Sequence, residues 1–214
     1  MAERVKRTRR YESPRRREQA EATRREILDA AERLFQRDGY AVTTMAAIAQ
    51  EARVSLRTVY VAFETKAGVL RALWNQRLRS DQPGVPMTEH PEVLAALDEA
   101  DPERSLRMNA RNSRLGKERI GLLAVLIRTA APIDPDIAEL RDRIDHEYRE
   151  LQRRLVERLH RRRALKKGLG VDRATDVLWV INHPDTWRLY MDRGWTGDEY
   201  ERWAGDAAVR ELLR

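Results

Sequence analysis

Cysteine is absent from the 214 residues. That removes disulfides, cysteine-type zinc fingers and thiol nucleophiles, and it fits a reducing compartment. Long apolar runs are missing too. The longest, Ile120 to Ile127, falls far short of the roughly 20 residues a membrane helix needs. The basic N-terminus has no apolar stretch behind it, so no secretory signal is read there. The expectation is a cytoplasmic protein with no membrane partner. Catalytic signatures are lacking as well. There is no glycine-rich phosphate loop and no nucleophile elbow. The histidines (His90, His146, His160 and His183) show no metal-ligand spacing such as His-Glu-x-x-His. Asp142, His146 and Glu150 fall at i, i+4 and i+8, but a helical face of this kind is more often a solvated row of ion pairs. The chain is read as no enzyme, with no metal and no cofactor.

What is present is positive charge, unevenly placed. The chain carries 42 Lys and Arg against 35 Asp and Glu, a formal net charge of +7. Residues 1–17 hold eight basic residues (Arg4, Lys6, Arg7, Arg9, Arg10, Arg15, Arg16, Arg17) against Glu3 and Glu12, so that segment alone is +6. Residues 79–214 carry 25 of each sign and are neutral. An anionic partner is therefore expected near the N-terminus and is not required by the C-terminal half. Residues 1–19 are read as a flexible basic arm. By charge alone it is either a solvated tail or a nucleic-acid contact.

Regular periodicity begins near Ala20. Ile27, Ala31, Leu34 and Phe35 share a helical face, and Gly39 sits where a C-cap is wanted. Thr43 and Thr44 can cap a short helix from Met45 to Ala52. Ser55 can cap a second from Leu56 to about Phe63, and Thr65 a third running towards Arg79. Pro83, Gly84, Pro86 and Pro91 mark a loop between residues 81 and 91. Helices are then expected at about 91–99, 102–114, 117–131, 136–166, 172–192 and 197–213. The long one carries a stripe of Ile137, Leu140, Ile144, Tyr148, Leu151, Leu155 and Leu159. No strand and no repeat is found, so the chain reads as all-α.

The informative stretch is TTMAAIAQEARVSLRTVYVAFETK, Thr43 to Lys66. It reads as two short helices joined by a tight turn at Arg53-Val54, with Ala47, Ile48 and Val59 packing them together. The second helix offers Ser55, Leu56, Arg57, Thr58 and Tyr60, groups suited to base edges and phosphates. The pattern by itself also allows an ordinary helical hairpin within a bundle.

Residues 24–70 resemble the TetR-family DNA-binding domain throughout, without a gap. The resemblance rests on Ile27-Leu28-Asp29-Ala30-Ala31, Leu34-Phe35, Gly39-Tyr40, Thr43-Thr44, Ile48-Ala49, Val54-Ser55, Thr58-Val59-Tyr60, Phe63, Lys66 and Leu70. Trp187 to Leu213 is similar to the family's regulatory half, more weakly. The resemblance implies an N-terminal three-helix DNA-binding domain with a helix-turn-helix (20–66), followed by a larger helical ligand-binding and dimerisation domain (67–214). It implies that Ser55 caps the recognition helix and that Leu56, Arg57 and Thr58 reach base edges, with Arg57 on a guanine. Thr43 or Thr44, Tyr60 and Lys66 would meet phosphate. Two positions depart from the family. Arg53 stands where the family has a turn glycine, and it is a further candidate for a phosphate contact. Gly68 stands where the family often has Glu, which removes a capping box behind Thr65.

The implied partners are a palindromic operator in double-stranded DNA, a second copy of the chain, and an unidentified small-molecule effector. The dimer would form through helices 172–192 and 197–213. Trp74, Met108, Leu123, Ile127, Tyr148, Trp179, Asn182, His183 and Trp187 are the candidate pocket residues, although any one of them taken singly reads first as plain core. The expected role is a repressor released by its effector. The alternatives are an activator, a regulator answering a protein partner, or a sequence-tolerant architectural binder. If Arg9, Arg10, Arg15, Arg16 and Arg17 reach DNA, removing residues 1–17 weakens binding and flattens the salt dependence by roughly 0.9 in log–log slope per lost phosphate contact. An unchanged slope in a salt titration marks the arm as passive.

Overall fold

A computed structural model describes residues 14–78 and 89–214. They form the helices α1 (Pro14–Val42), α2 (Met45–Glu51), α3 (Leu56–Phe63), α4 (Lys66–Leu78), α5 (Pro91–Asp98), α6 (Pro102–Ala130), α7 (Pro135–Arg161), α8 (Val171–Ile181), α9 (Pro184–Met191) and α10 (Gly197–Leu212). Among the described residues there is no strand; one isolated bridge joins Leu165 to Leu213. The chain divides into two compact units between Val69 and Leu70.

In the first unit α1 buries Ile27, Leu28, Ala31, Leu34 and Phe35. The helix starts at Pro14, ahead of the expected Ala20. Its first turns are exposed, so hydrophobic periodicity carries no signal there, while proline at a helix start supplies a preset φ. Arg15, Arg16 and Arg17 therefore belong to α1 and not to a flexible arm; Arg9 and Arg10 lie outside the described residues. At Gly39 the backbone leaves the helix with φ 79° and ψ 169°, a conformation that costs glycine little.

The second unit departs from the sequence expectation at three points. α6 runs unbroken through Gly116, where two helices were expected. A helical glycine costs only about 1 kcal/mol against alanine, and burial of Leu106, Ala110, Ile120, Leu123 and Ile127 along α6 outweighs it. α7 stops at Arg161, short of Lys166, because Arg163 turns left-handed (φ 57°) and Leu165 pairs with Leu213. The expected helix 172–192 is two helices. Pro184 has no N–H to continue the first, and it holds His183 extended at φ −67° and ψ 141°. The core of this unit gathers Leu106, Leu155, Val156, Leu159, Leu178, Ala204 and Leu212 around Tyr200. The Tyr200 hydroxyl donates to the Ile181 carbonyl at 2.5 Å.

Two glycines are expected to respond in opposite directions to alanine. A Cβ at Gly116 meets nothing within 4 Å, whereas one at Gly68 lies 2.1 Å from the Phe63 carbonyl oxygen. Gly116→Ala should stabilise by about 1 kcal/mol, and Gly68→Ala should destabilise by about 2 kcal/mol or more. Urea unfolding of the two variants checks both signs.

Candidate nucleic-acid interface

α2 opens at Thr44, whose hydroxyl accepts the Ala47 N–H at 3.1 Å. Met45, Ile48 and Ala49 bury its inner face. The turn after α2 is a Schellman motif. The Val54 amide donates to the Ala49 carbonyl at 3.0 Å and the Arg53 amide to Gln50 at 3.1 Å. Arg53 takes the left-handed conformation this motif demands, with φ 56°. Ser55 then caps α3, its hydroxyl accepting the Thr58 N–H at 3.1 Å and meeting the Thr58 hydroxyl at 2.7 Å.

α3 buries Val59 and Phe63 on one side. On the other it exposes Leu56, Arg57, Tyr60 and Val61, with Val61 76% exposed. Val61 escaped the sequence reading, although its place one turn beyond Arg57 on the outward face was there to be seen. Thr58 is half-buried and its hydroxyl is engaged by Ser55.

Two cations fix this motif from behind. Arg24 of α1 donates to the Ala62 carbonyl at 2.6 Å and lies 4.1 Å from the centre of the Phe63 ring. The Lys66 ammonium donates to the carbonyls of Tyr40 (2.7 Å), Thr43 (2.9 Å) and Ala41 (3.4 Å), and sits 4.2 Å from the Tyr40 ring. Lys66 is thus turned inward, onto the segment that leads into α2, and not towards a phosphate. Thr43 is likewise withdrawn. It is 2% exposed, and its hydroxyl donates to the Gly39 carbonyl. Thr44 remains exposed.

After α3 the chain reverses through a γ-turn at Glu64 (φ 62°, ψ −52°), closed by the Thr65 amide on the Phe63 carbonyl at 2.6 Å. Gly68 tolerates that carbonyl because it has no Cβ, and its amide donates to the Thr65 hydroxyl at 2.9 Å. The missing capping-box Glu is explained by this crowding.

The helix starts of the two units differ in charge. No acidic residue stands in the first turn of α1, α2, α3 or α4. Every helix from α5 to α10 has one: Glu92, Glu103, Asp136, Asp172, Asp185, and Asp198 with Glu199. A carboxylate in the first turn stabilises a helix by roughly 0.3–1 kcal/mol and occupies the positive end of its dipole. The first unit forgoes that contribution, and α2, α3 and α4 take hydroxyl acceptors instead, from Thr44, Ser55 and Thr65.

In the second unit the expected pocket residues are dispersed. Trp74, Leu123, Ile127 and Asn182 are buried, and Met108 and Trp179 partly so. His183 caps α9, its Nδ1 accepting the Asp185 N–H at 3.1 Å, with its ring 4.6 Å from Trp179. Tyr148 donates to the Asn182 carbonyl at 3.0 Å and meets Ser113 at 2.7 Å. Of the nine, Trp187 lines a cleft of about 180 Å³ between α6 and α9. The sequence reading missed Lys117 in that cleft, because a lysine inside a charged stretch gives no sign of burial. Exposed apolar side chains lie on α6 (Leu122, Val125), α8 (Val180) and α9 (Leu189), while the outward residues of α10 include Arg202, Asp206 and Arg210. Among the described residues no group of three or more His, Asp or Glu is placed to hold a metal, and no helix is long and apolar enough to cross a membrane.

Replacing Arg53 with glycine relieves its left-handed backbone. Arg53→Gly should raise the stability of the first unit by about 0.5–1 kcal/mol, read as a shift in the urea midpoint. A drop in stability would mean that the arginine side chain makes a contact worth more than the strain.

Residues 27–73 match the family described as bacterial regulatory proteins, tetR family. Over 56 residues the chain is 45% identical to the HTH-type transcriptional regulator TtgR of Pseudomonas putida, covering 26% of this chain and 27% of that protein. Among solved structures it is similar to NalD, the secondary repressor of the MexAB-OprM multidrug efflux pump in Pseudomonas aeruginosa. The TM-score is 0.70, with 26% identity over 92% of this chain and 98% of NalD. A regulator from Saccharomonospora viridis in complex with choline, at 17% identity, shares the fold: TM-score 0.68, over 91% of this chain and 99% of that one.

Proposed function

We propose that the chain, whose residues 27–73 match the family of bacterial regulatory proteins, tetR family, is a homodimeric repressor that binds a palindromic operator and is released by a small molecule. The outward face of α3 carries this reading. Leu56, Arg57, Tyr60 and Val61 form an exposed surface with one guanidinium and a large apolar share. Arg57 pairs with guanine O6 and N7, and Val61 and Leu56 meet thymine methyl groups. Tyr60, Thr44 and Arg53 contact phosphate, assisted by the backbone N–H groups at the starts of α2 and α3. Thr43 and Lys66 act as positioning residues.

Two copies associate through α8 and α9, where Val180 and Leu189 are exposed. The two-fold axis of such a dimer requires a two-fold operator. The effector occupies the second unit. α4 runs from Lys66 to Leu78, so the division between the units at Val69 and Leu70 falls within it. For release, the effector must bind the two states with different affinities. The similarity to the repressor NalD supports the sign of regulation.

Selection from random DNA by the purified protein at near-physiological salt tests the reading. The expected result is a palindrome, with Arg57→Ala losing about 1–3 kcal/mol of discrimination at one symmetric pair of positions. Sequence-blind, strongly salt-dependent binding would replace it with an architectural role.

A further inference from the structure

The cleft between α6 and α9 contains a buried cation that, among the described residues, has no carboxylate. Lys117 lines it and is 4% exposed. Ile120, Val125, Trp187 and Met191 supply apolar wall, Arg128 and Arg188 supply two more cations, and Asp185 supplies one carboxylate. Those two already have partners. Arg128 pairs with Asp185, and Arg188 pairs with Asp192 at 2.6 Å. Lys117 differs. Among the described residues its ammonium donates to the Ser113 hydroxyl and lies 5.2 Å from the centre of the Tyr200 ring.

Tyr148 orients the Ser113 hydroxyl. It donates its own proton to the Asn182 carbonyl, so in the Ser113–Tyr148 contact serine is the donor. The chain Lys117 to Ser113 to Tyr148 to Asn182 therefore points donors in one direction and brings no negative charge to the ammonium. A lysine carries three donors, and one is used here. A second donor at the cleft, Arg188 Nε, is buried without a partner among the described residues. A buried ammonium without a counter-ion is costly, and an apolar cleft with two underused cationic donors is complementary to one class of ligand.

We propose that this cleft binds a small apolar organic acid, its carboxylate seated on Lys117 and its apolar body against Ile120, Val125 and Trp187. The inference rests on the reading of the second unit as the effector domain and names the chemical class of the effector.

Burial pulls Lys117 down to about 7, from its ordinary value of 10.5. The groups around it do not restore the charge. From α7, Asp145 lies 4.0 Å from His183 Nε2, and burial raises the pKa of Asp145. His183 itself is lowered by burial. Asp185 is engaged by Arg128, and the phenols of Tyr148 and Tyr200 are pushed up and stay neutral. A bound carboxylate stabilises the ammonium, so binding above neutrality takes up a proton. Affinity for the acid then falls by up to tenfold per pH unit above about 7. The free protein shows the converse. The unfolded chain keeps this proton up to 10.5 and the folded chain releases it near 7, so the Lys117 contribution makes stability rise with pH across that window.

Calorimetric titration of the purified full chain with 2-naphthoate and decanoate, each against its neutral amide, tests the proposal at about pH 6 and about pH 9. The expected result is a carboxylate preference of about tenfold or more at the lower pH, disappearing at the higher pH and in Lys117→Met. The variant should keep amide binding and unfold at a higher temperature, which shows that it folds. Equal or tighter amide binding by the wild type overturns the proposal. So does a preference that survives in Lys117→Met, or failure of every probe to bind up to about 1 mM. These titrations contain no DNA, so they stand apart from the operator reading. An acid that binds through Lys117 yet leaves operator affinity unchanged overturns the effector reading alone.

Discussion

The outward face of α3 depends on two backbone hydrogen bonds in the turn before it. The Val54 and Arg53 amides close on Ala49 and Gln50, end α2 and set the direction in which Ser55 starts the next helix. Everything proposed for base reading inherits that direction. Arg24 then holds the far end of α3 through Ala62 and Phe63, and Lys66 holds the lead-in to α2 through Tyr40 and Thr43. Two helices of 7 and 8 residues are too short to be stable alone. In this setting each has a side-chain cap at its start and a tether behind it, and its buried residues need only complete the packing.

The two units answer the same electrostatic question in opposite ways. In the second, each helix start is neutralised by a residue of its own sequence, which is the arrangement that favours a self-sufficient fold. In the first, the starts of α1 to α4 carry no acid, and Arg15, Arg16 and Arg17 occupy the opening of α1. Stability is given up on the unit for which anion binding is proposed, a common arrangement at binding sites. The cleft beside Lys117 has the same character on a smaller scale: its one carboxylate, Asp185, is paired with Arg128, and among the described residues Lys117 has none.

The all-α class, the two short helices and their caps were legible because capping residues and apolar spacing are local signals. Thr44, Ser55, Ile48 and Val59 each do what their position in the sequence implies. Three kinds of feature were not legible. Exposed helical turns, such as those from Arg15 to Gln19, have no apolar rhythm to read. Breaks and continuities decided by tertiary packing, at Gly116 and at Pro184, can be weighed only when the neighbours are known. The direction of a polar side chain was the third. Thr43 and Lys66 carry the right chemistry for phosphate, but nearby carbonyls claim it. Lys117, one cation among many in sequence, becomes singular only by burial. The residues that line the cleft between α6 and α9 were not legible for the same reason, since aromatic and polar residues on helical faces do not announce which of them share a cavity.

The helix starts of the first unit, without a carboxylate in their first turns and with hydroxyl caps on α2, α3 and α4, have a consequence for the solvent around it. A helix start of this kind does not by its chemistry distinguish a nucleic-acid phosphate from inorganic phosphate or sulfate. Such ions compete at those positions while stabilising the unit that binds them. The buffer anion therefore belongs to the chemical identity of the free state, and the protein in chloride and the protein in phosphate are two different starting points for the same association.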